Sequence, residues 1–147
     1  MNAKLRAIRK VREARRRLRD HAAAATVAAE QHLTQAAEDR ELAEDGLERI
    51  IDGANSRLVE RPNATVLMLF DDERTRAVRN IDHAGEAVLT AQGESEKARN
   101  ALRLRERDLR SSEKLMDRMR AEQEATLARG EQRLADDLSA TRLRRDK

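Results

Sequence analysis

Three histidines and a run of three carboxylates are the side chains best suited to metal or acid–base chemistry. His21 and His32 are eleven residues apart, so on one helix they would lie about 16 Å from each other, too far for one metal ion. His83 follows a break in the helical pattern and belongs to a different helix. The carboxylates at 71–73 point apart on a helix, where they favour the helix start rather than a catalytic pair. These residues predict no metal site and no catalytic site.

The sequence also lacks a cysteine nucleophile and a phosphate-binding loop. The sequence has no cysteine, which excludes a thiolate nucleophile, a disulfide and cysteine-ligated zinc. Its five glycines are scattered, and none precedes the Lys-Ser or Lys-Thr pair of a phosphate-binding loop. Asn63-Ala-Thr65 fits a glycosylation acceptor, but we interpret it as a helix cap because no secretion signal is evident. We therefore expect a protein that is not an enzyme and binds no cofactor.

The composition is typical of long helices. The 147 residues are 40% charged and include one Phe, no Trp and no Tyr, while Ala and Leu dominate the apolar fraction. Disorder is the competing interpretation, but 31 basic residues nearly balance 28 acidic ones, and proline occurs once. The longest apolar stretch, 22–29, is too short to span a bilayer. We expect a soluble, cytoplasmic, helical chain.

One cluster of helix-breaking residues divides the chain in two. Pro62 lacks an amide hydrogen and disfavours helix at the residue before it. We predict a single coiled-coil domain over 1–147, with helices at about 3–58 and 65–142 joined by a turn at 59–64. Helices of such length need a partner, and a short connection makes them antiparallel neighbours. The predicted fold is all-α, a long two-helix antiparallel coiled-coil hairpin.

A coiled-coil seam should run along both helices, because apolar residues recur at alternating steps of three and four. In the second helix, twelve of eighteen seam positions are apolar, and after Thr126 the seam shifts by one residue. In the first helix the register slips. The predicted second seam consists of Leu67, Phe70, Arg74, Ala77, Ile81, Ala84, Val88, Ala91, Ser95, Ala98, Leu102, Arg105, Leu109, Ser112, Met116, Met119, Gln123 and Thr126, then Leu127, Leu134 and Leu138. The predicted first seam consists of Leu5, Ile8, Val11, Leu18, Ala22, Ala29, Leu33, Ala36, Ala43, Leu47, Ile50 and Ala54.

Charge is distributed unevenly along the chain. Residues 1–20 carry a net charge of +7 and residues 21–60 a net charge of −6. An antiparallel hairpin brings both termini to one end, which should then be strongly basic. The basic segment 4–19 suits contact with a protein, with nucleic acid phosphates or with an anionic membrane. It has no aromatic residue for base stacking, so we expect no specific nucleic-acid binding.

The run 113–142 resembles the end of the FliJ/YscO family, the small stalk proteins of flagellar and related type III export systems. That family's second helix tends to carry a Glu-x-Leu element, a Glu-Gln pair, an Asp-rich stretch with Leu, and a closing Arg. Here these elements are Glu113 and Leu115, Glu131 and Gln132, Asp136, Asp137 and Leu138, and Arg142. The segment 5–14 is similar to the family's Arg-rich start, and the chain length and single break also agree.

The resemblance implies a cytoplasmic stalk or adaptor at the inner-membrane export apparatus, attached to the membrane only through its partners. Its paired terminal ends would bind the pore of a hexameric export ATPase and promote ring assembly and activity. The part near the connection would reach the export gate, a membrane protein, and some members also bind export chaperones. The implied gate contacts are Leu69 and Phe70. The implied ring contacts are Arg6, Arg9, Arg12, Arg16, Arg142 and Arg144.

Two other functions stay open on the residues alone. A basic coiled coil of this kind could bind or compact nucleic acid through residues 1–20, with an affinity that falls steeply with salt. It could also be a scaffold whose partners bind along its sides. The sequence leaves open whether the export system is flagellar or of the virulence type, and whether the chain is a monomer or a dimer.

Overall fold

The computed structural model describes the backbone of residues 3–145 and the side chains of residues 3–142. Two helices make up this part of the chain, α1 (Ala3–Glu60) and α2 (Ala64–Arg145). They pack against each other in antiparallel fashion, because residues near the start of α1 contact residues far along α2. The predicted all-α, antiparallel coiled-coil hairpin is confirmed.

Residues 61–63 connect the two helices, and Asn63 caps α2. Its side-chain Oδ1 accepts a hydrogen bond from the Thr65 amide at 3.0 Å, and its carbonyl accepts one from the Val66 amide at 3.1 Å. This is the geometry of an N-cap, which satisfies amides that have no partner within the helix. Pro62, lacking an amide hydrogen, ends α1 as predicted from the sequence.

The two helices form two compact units, and each helix contributes to both. We call the first, residues 1–20 with 103–147, the basic unit, and the second, residues 21–102, the acidic unit, for charges described below. Among the described residues, seven are buried, and all but one are small. They are Thr26, Ala54, Ala77, Ala91, Ser95, Ser112 and Met116. Small side chains bury little apolar surface, so the seam is thin in each unit.

The predicted seam of α2 is confirmed over its central part. Every predicted position from Ala77 to Met119 is buried or half-buried except Arg105, which is exposed. Leu67 and Arg74, near the start of the helix, are exposed as well. The heptad spacing therefore identifies the packed face of α2 even where the residues on it are Ala or Ser.

The seam of α1 differs from the prediction over the first twenty residues. Val11 and Leu18 are 47% and 46% exposed, so their assignment to the seam is wrong. The half-buried positions are instead Arg12, Arg15 and Arg19, which continue the spacing of the later seam without a slip. Arginine can occupy such positions because its methylene stem covers apolar surface while the guanidinium reaches the edge. From Ala22 to Ala54 the predicted seam positions are half-buried or buried.

The last part of α2 is exposed, although its first residues, up to Leu127, lie beside the start of α1. All residues from 120 to 142, here called the C-terminal extension, are exposed. The predicted shifted seam of Leu127, Leu134 and Leu138 is therefore not a packed seam in this structure. The physical reason is that the described part of α1 begins at Ala3, and its first turn, with Lys4 and Leu5, lines a groove with Gln123, Thr126 and Leu127 rather than with later residues.

Candidate functional site

The two units carry opposite formal charge. The basic unit contains 22 basic and 12 acidic residues, a net charge of +10. The acidic unit contains 9 basic and 16 acidic residues, a net charge of −7. Net charges of this size attract partners of opposite charge, and the surface contacts that result weaken as the salt concentration rises.

Four of the predicted ring contacts lie close together on α1 in the basic unit. Arg6, Arg9 and Arg16 are exposed, and Arg12 is half-buried in the seam. The Arg9 Nε donates a hydrogen bond to Glu13 Oε1 at 3.3 Å, an exposed pair that adds little stability. These guanidinium groups form a basic surface on which carboxylates of a partner could pair.

Of the other two predicted ring contacts, Arg142 lies apart from this cluster. Arg142 is exposed in the C-terminal extension, 15 residues beyond Leu127, which lines a groove with Lys4 and Leu5 of α1. At the rise of an α-helix this is about 22 Å along its axis. The side chain of Arg144 lies outside the described residues. The structure therefore supports one compact arginine cluster rather than one that joins both helix ends.

A groove in the basic unit contains a residue that sequence analysis missed. Leu5 and Met116 provide its apolar part, and Arg9, Arg12 and Arg120 provide its charge. With Gln123 these residues enclose roughly 370 Å³, and we call this site the basic groove. Arg120 follows the seam residue Met119 directly, but only the pairing register of the helices places it opposite the arginines of α1.

Arg15 ties the two helices of the basic unit together and was also missed. Its Nη1 donates hydrogen bonds to the Asp108 carbonyl at 2.8 Å and to Ser112 Oγ at 2.6 Å. The Ser112 hydroxyl in turn donates to the Asp108 carbonyl at 3.0 Å. Because a guanidinium holds its donors in a fixed plane, this network favours one register between the helices. A sequence signal existed, since position 15 continues the heptad spacing.

The residues predicted to contact the export gate lie near the start of α2, in the acidic unit. Leu69 is 52% exposed, whereas Phe70 is half-buried at a seam position. Leu67 and Met68, which sequence analysis did not propose for this role, are exposed beside them. An exposed apolar run of this kind is a candidate contact for another protein. Here Leu69 belongs to the free surface, and Phe70 belongs to the seam.

Candidate metal ligands do not cluster in the described part of the chain. It contains no group of three or more His, Asp or Glu residues that could hold a metal ion. His83 Nδ1 lies 3.9 Å from Glu86 Oε2 on the exposed surface of α2. Neither helix, over the residues described, has a stretch apolar enough to cross a bilayer.

The structure is that of a coiled-coil protein with two long paired helices. Its candidate binding sites are the charged and apolar surfaces of its basic and acidic units. Residues 4–147 match the model of the family described as flagellar FliJ protein. The chain therefore belongs to the FliJ family, and its role lies in flagellar protein export. Members of this family are non-catalytic, stalk- or chaperone-like proteins that associate with the export apparatus. Comparison with curated proteins and with solved structures gives no match.

Proposed function

We propose that this chain is the stalk of the flagellar export apparatus, acting at the cytoplasmic face of the inner membrane. Its basic unit binds the pore of the hexameric export ATPase and promotes assembly and activity of the ring, and the chain couples the ring to the export gate. The observation that carries this proposal is the net charge of +10 on the unit that contains Arg6, Arg9, Arg12 and Arg16.

The basic unit has the physical properties that such binding needs. Exposed arginines can form paired hydrogen bonds with carboxylates of an acidic pore. The excess positive charge also speeds the encounter with an acidic partner at low salt. The large apolar side chains of the seam are mostly half-buried, and Met116 is the only large one that is buried in the described structure. Binding in a pore would therefore also brace a weakly stabilised pair of helices.

The acidic unit contains the candidate contact with the export gate. Leu67, Met68 and Leu69 present apolar side chains at the surface near the helix connection. Burying them against a partner would release water from apolar surface, which favours association. This surface is separate in sequence from the basic unit, so one chain can carry two binding sites. Export chaperones are further candidate partners for exposed surfaces of the chain.

Stimulation of the matching export ATPase tests the proposal. We expect the purified chain to raise the rate of ATP hydrolysis, and the double substitution Arg9→Glu, Arg16→Glu to raise the concentration needed about tenfold or more. Both side chains are exposed, so the helices should remain folded. The matched control, Arg61→Glu with Arg79→Glu, changes charge equally in the acidic unit and should behave as wild type. Equal stimulation by both variants would refute a role for the basic surface.

Nucleic-acid binding is a second candidate, favoured by the same net charge of +10. Phosphate contacts need only clustered Lys and Arg, and they weaken steeply with salt. The sole aromatic residue, Phe70, belongs to the acidic unit, so the basic unit has no aromatic residue on which bases could stack. The stalk function therefore accounts for more of the structure.

A further inference from the structure

The outer face of α1 in the acidic unit carries a regular row of carboxylates. Its members follow one another at steps of three and four, so they share one face of the helix, and all are exposed. Nearby arginines bond to other groups, since Arg40 pairs with Glu44 and Arg49 donates to the main-chain carbonyl of Asp45. We call this row the acidic stripe, and it consists of Glu38, Glu41, Asp45, Glu48 and Asp52.

Two apolar residues border the acidic stripe. Leu42 is 60% exposed, and Ile51 is exposed to a smaller extent. The carboxylates of this surface can attract a basic partner, and its apolar side chains can be buried against that partner. The stripe therefore has the chemistry of an acidic amphipathic helix, although it forms part of a packed pair.

The basic groove has the complementary chemistry. Leu5 and Met116 can receive an apolar side chain, and the guanidinium groups of Arg9, Arg12 and Arg120 surround that position. Arg9 is 63% exposed, and its exposed pair with Glu13 can exchange for another carboxylate at little cost. The ligand that this groove fits best is an acidic helix with an exposed aliphatic residue.

We propose that the basic groove of one copy binds the acidic stripe of a second copy of this chain. The two surfaces are opposite in charge and both include apolar side chains, and they lie on units of net charge +10 and −7. The inference goes beyond the stalk function, because it requires no component other than the chain itself. It also has a consequence for that function. Arg9 and Arg12 cannot pair with a second copy and with an ATPase pore together, so self-association and ring binding exclude each other.

Sedimentation velocity on the purified chain at two salt concentrations tests this proposal. Between about 50 mM and about 500 mM NaCl, the Debye length falls from roughly 14 Å to roughly 4 Å, which screens exposed charges. We expect a concentration-dependent species larger than the monomer at the lower salt and a monomer at the higher salt. A monomer at both salt concentrations would overturn the proposal.

Charge-reversal variants make the test specific to the two surfaces. Glu41→Arg with Glu48→Arg reverses the stripe, and Arg9→Glu with Arg120→Glu reverses the groove. Each variant alone should associate at least tenfold more weakly than wild type. Mixing the two variants should restore association, because the positive stripe of one then meets the negative groove of the other. Failure of the mixture to associate would contradict the proposed pairing.

A matched control separates a specific contact from net charge. Asp82→Arg with Glu96→Arg makes the same change in charge at exposed positions of α2 in the acidic unit. This variant should associate as wild type does. If it lost association as strongly as the stripe variant, nonspecific attraction between net charges would explain the result. Far-ultraviolet circular dichroism confirms that each variant stays helical. No ATPase is present in these experiments, so their failure would leave the stalk function standing.

Discussion

Two buried serines on α2 are equally inaccessible but differ in hydrogen bonding. Ser95 and Ser112 are each 2% exposed and occupy seam positions. The Ser112 hydroxyl accepts a hydrogen bond from Arg15 Nη1 and donates one to the Asp108 carbonyl. The Ser95 Oγ has no hydrogen-bond partner within the described residues. Since an unpaired buried hydroxyl is costly and a bond to a charged group is favourable, the two serines should affect stability in opposite directions.

Replacing each serine by alanine tests this difference. We expect Ser112→Ala to lower the free energy of unfolding by about 1 kcal/mol, because Arg15 loses an acceptor in a part-buried site. We expect Ser95→Ala to raise the free energy of unfolding by up to about 1 kcal/mol, because it removes a polar atom without a partner. Urea denaturation followed by circular dichroism measures both values. Changes of the same sign in the two variants would contradict the hydrogen-bond assignment.

At the scale of the element, α2 contains glycines that its packing does not require. Gly85 and Gly93 are half-buried, yet a Cβ atom built on either would meet nothing within 4 Å. Neither has a positive φ angle, so both have backbone conformations that any residue adopts. Glycine in a helix interior costs about 0.8–1.0 kcal/mol relative to alanine. These positions therefore keep the helix less stable than its contacts allow.

Substitution of these glycines should stabilise the hairpin. We expect Gly85→Ala and Gly93→Ala each to raise the free energy of unfolding by about 0.5–1 kcal/mol, measured by urea denaturation. Gly130→Ala is the matched control, since Gly130 lies in the exposed C-terminal extension. It should raise the helical signal in circular dichroism without moving the urea midpoint of the packed helices. A loss of stability in the first two variants would mean that close packing requires glycine there.

The two helices differed in how well their packed faces could be predicted. In α2, the spacing of Ile81, Val88 and Leu102 identified the seam, because apolar residues occupy the repeating positions. In the first turns of α1, Val11 and Leu18 are apolar but lie one residue from the true seam positions, which are arginines. Assigning apolar residues to buried positions therefore fails where the methylene stems of arginines make the contact between the helices.

The candidate site was predictable in its charge but not in its geometry. Counting residues 1–20 already indicated a basic end, and the structure places that segment in a unit of net charge +10. Arg120 could not be assigned to the groove, because its position opposite Arg9 and Arg12 depends on the pairing register of two distant segments. Arg142 was grouped with these arginines by its place near the chain end, but α2 extends well past the start of α1.

At the scale of the whole molecule, the two proposed binding surfaces lie in different units. The basic unit carries the arginines proposed for the ATPase, and the acidic unit carries the apolar run 67–69 proposed for the gate. Because the two surfaces are separate, substitutions in one should weaken binding to its own partner and leave binding to the other partner unchanged. In a scaffold that binds its partners along its sides, we expect no variant that loses one of these partners and keeps the other.

Affinity purification of the tagged chain from its native host tests this central claim most directly. We expect wild type to recover the export ATPase and an export-gate protein, free of nucleic acid. Arg9→Glu with Arg16→Glu should lose the ATPase and keep the gate protein, whereas Met68→Ser with Leu69→Ser should do the reverse. Recovery of nucleic acid in place of these proteins, or ATPase retained by the arginine variant at the wild-type level, would contradict the stalk function.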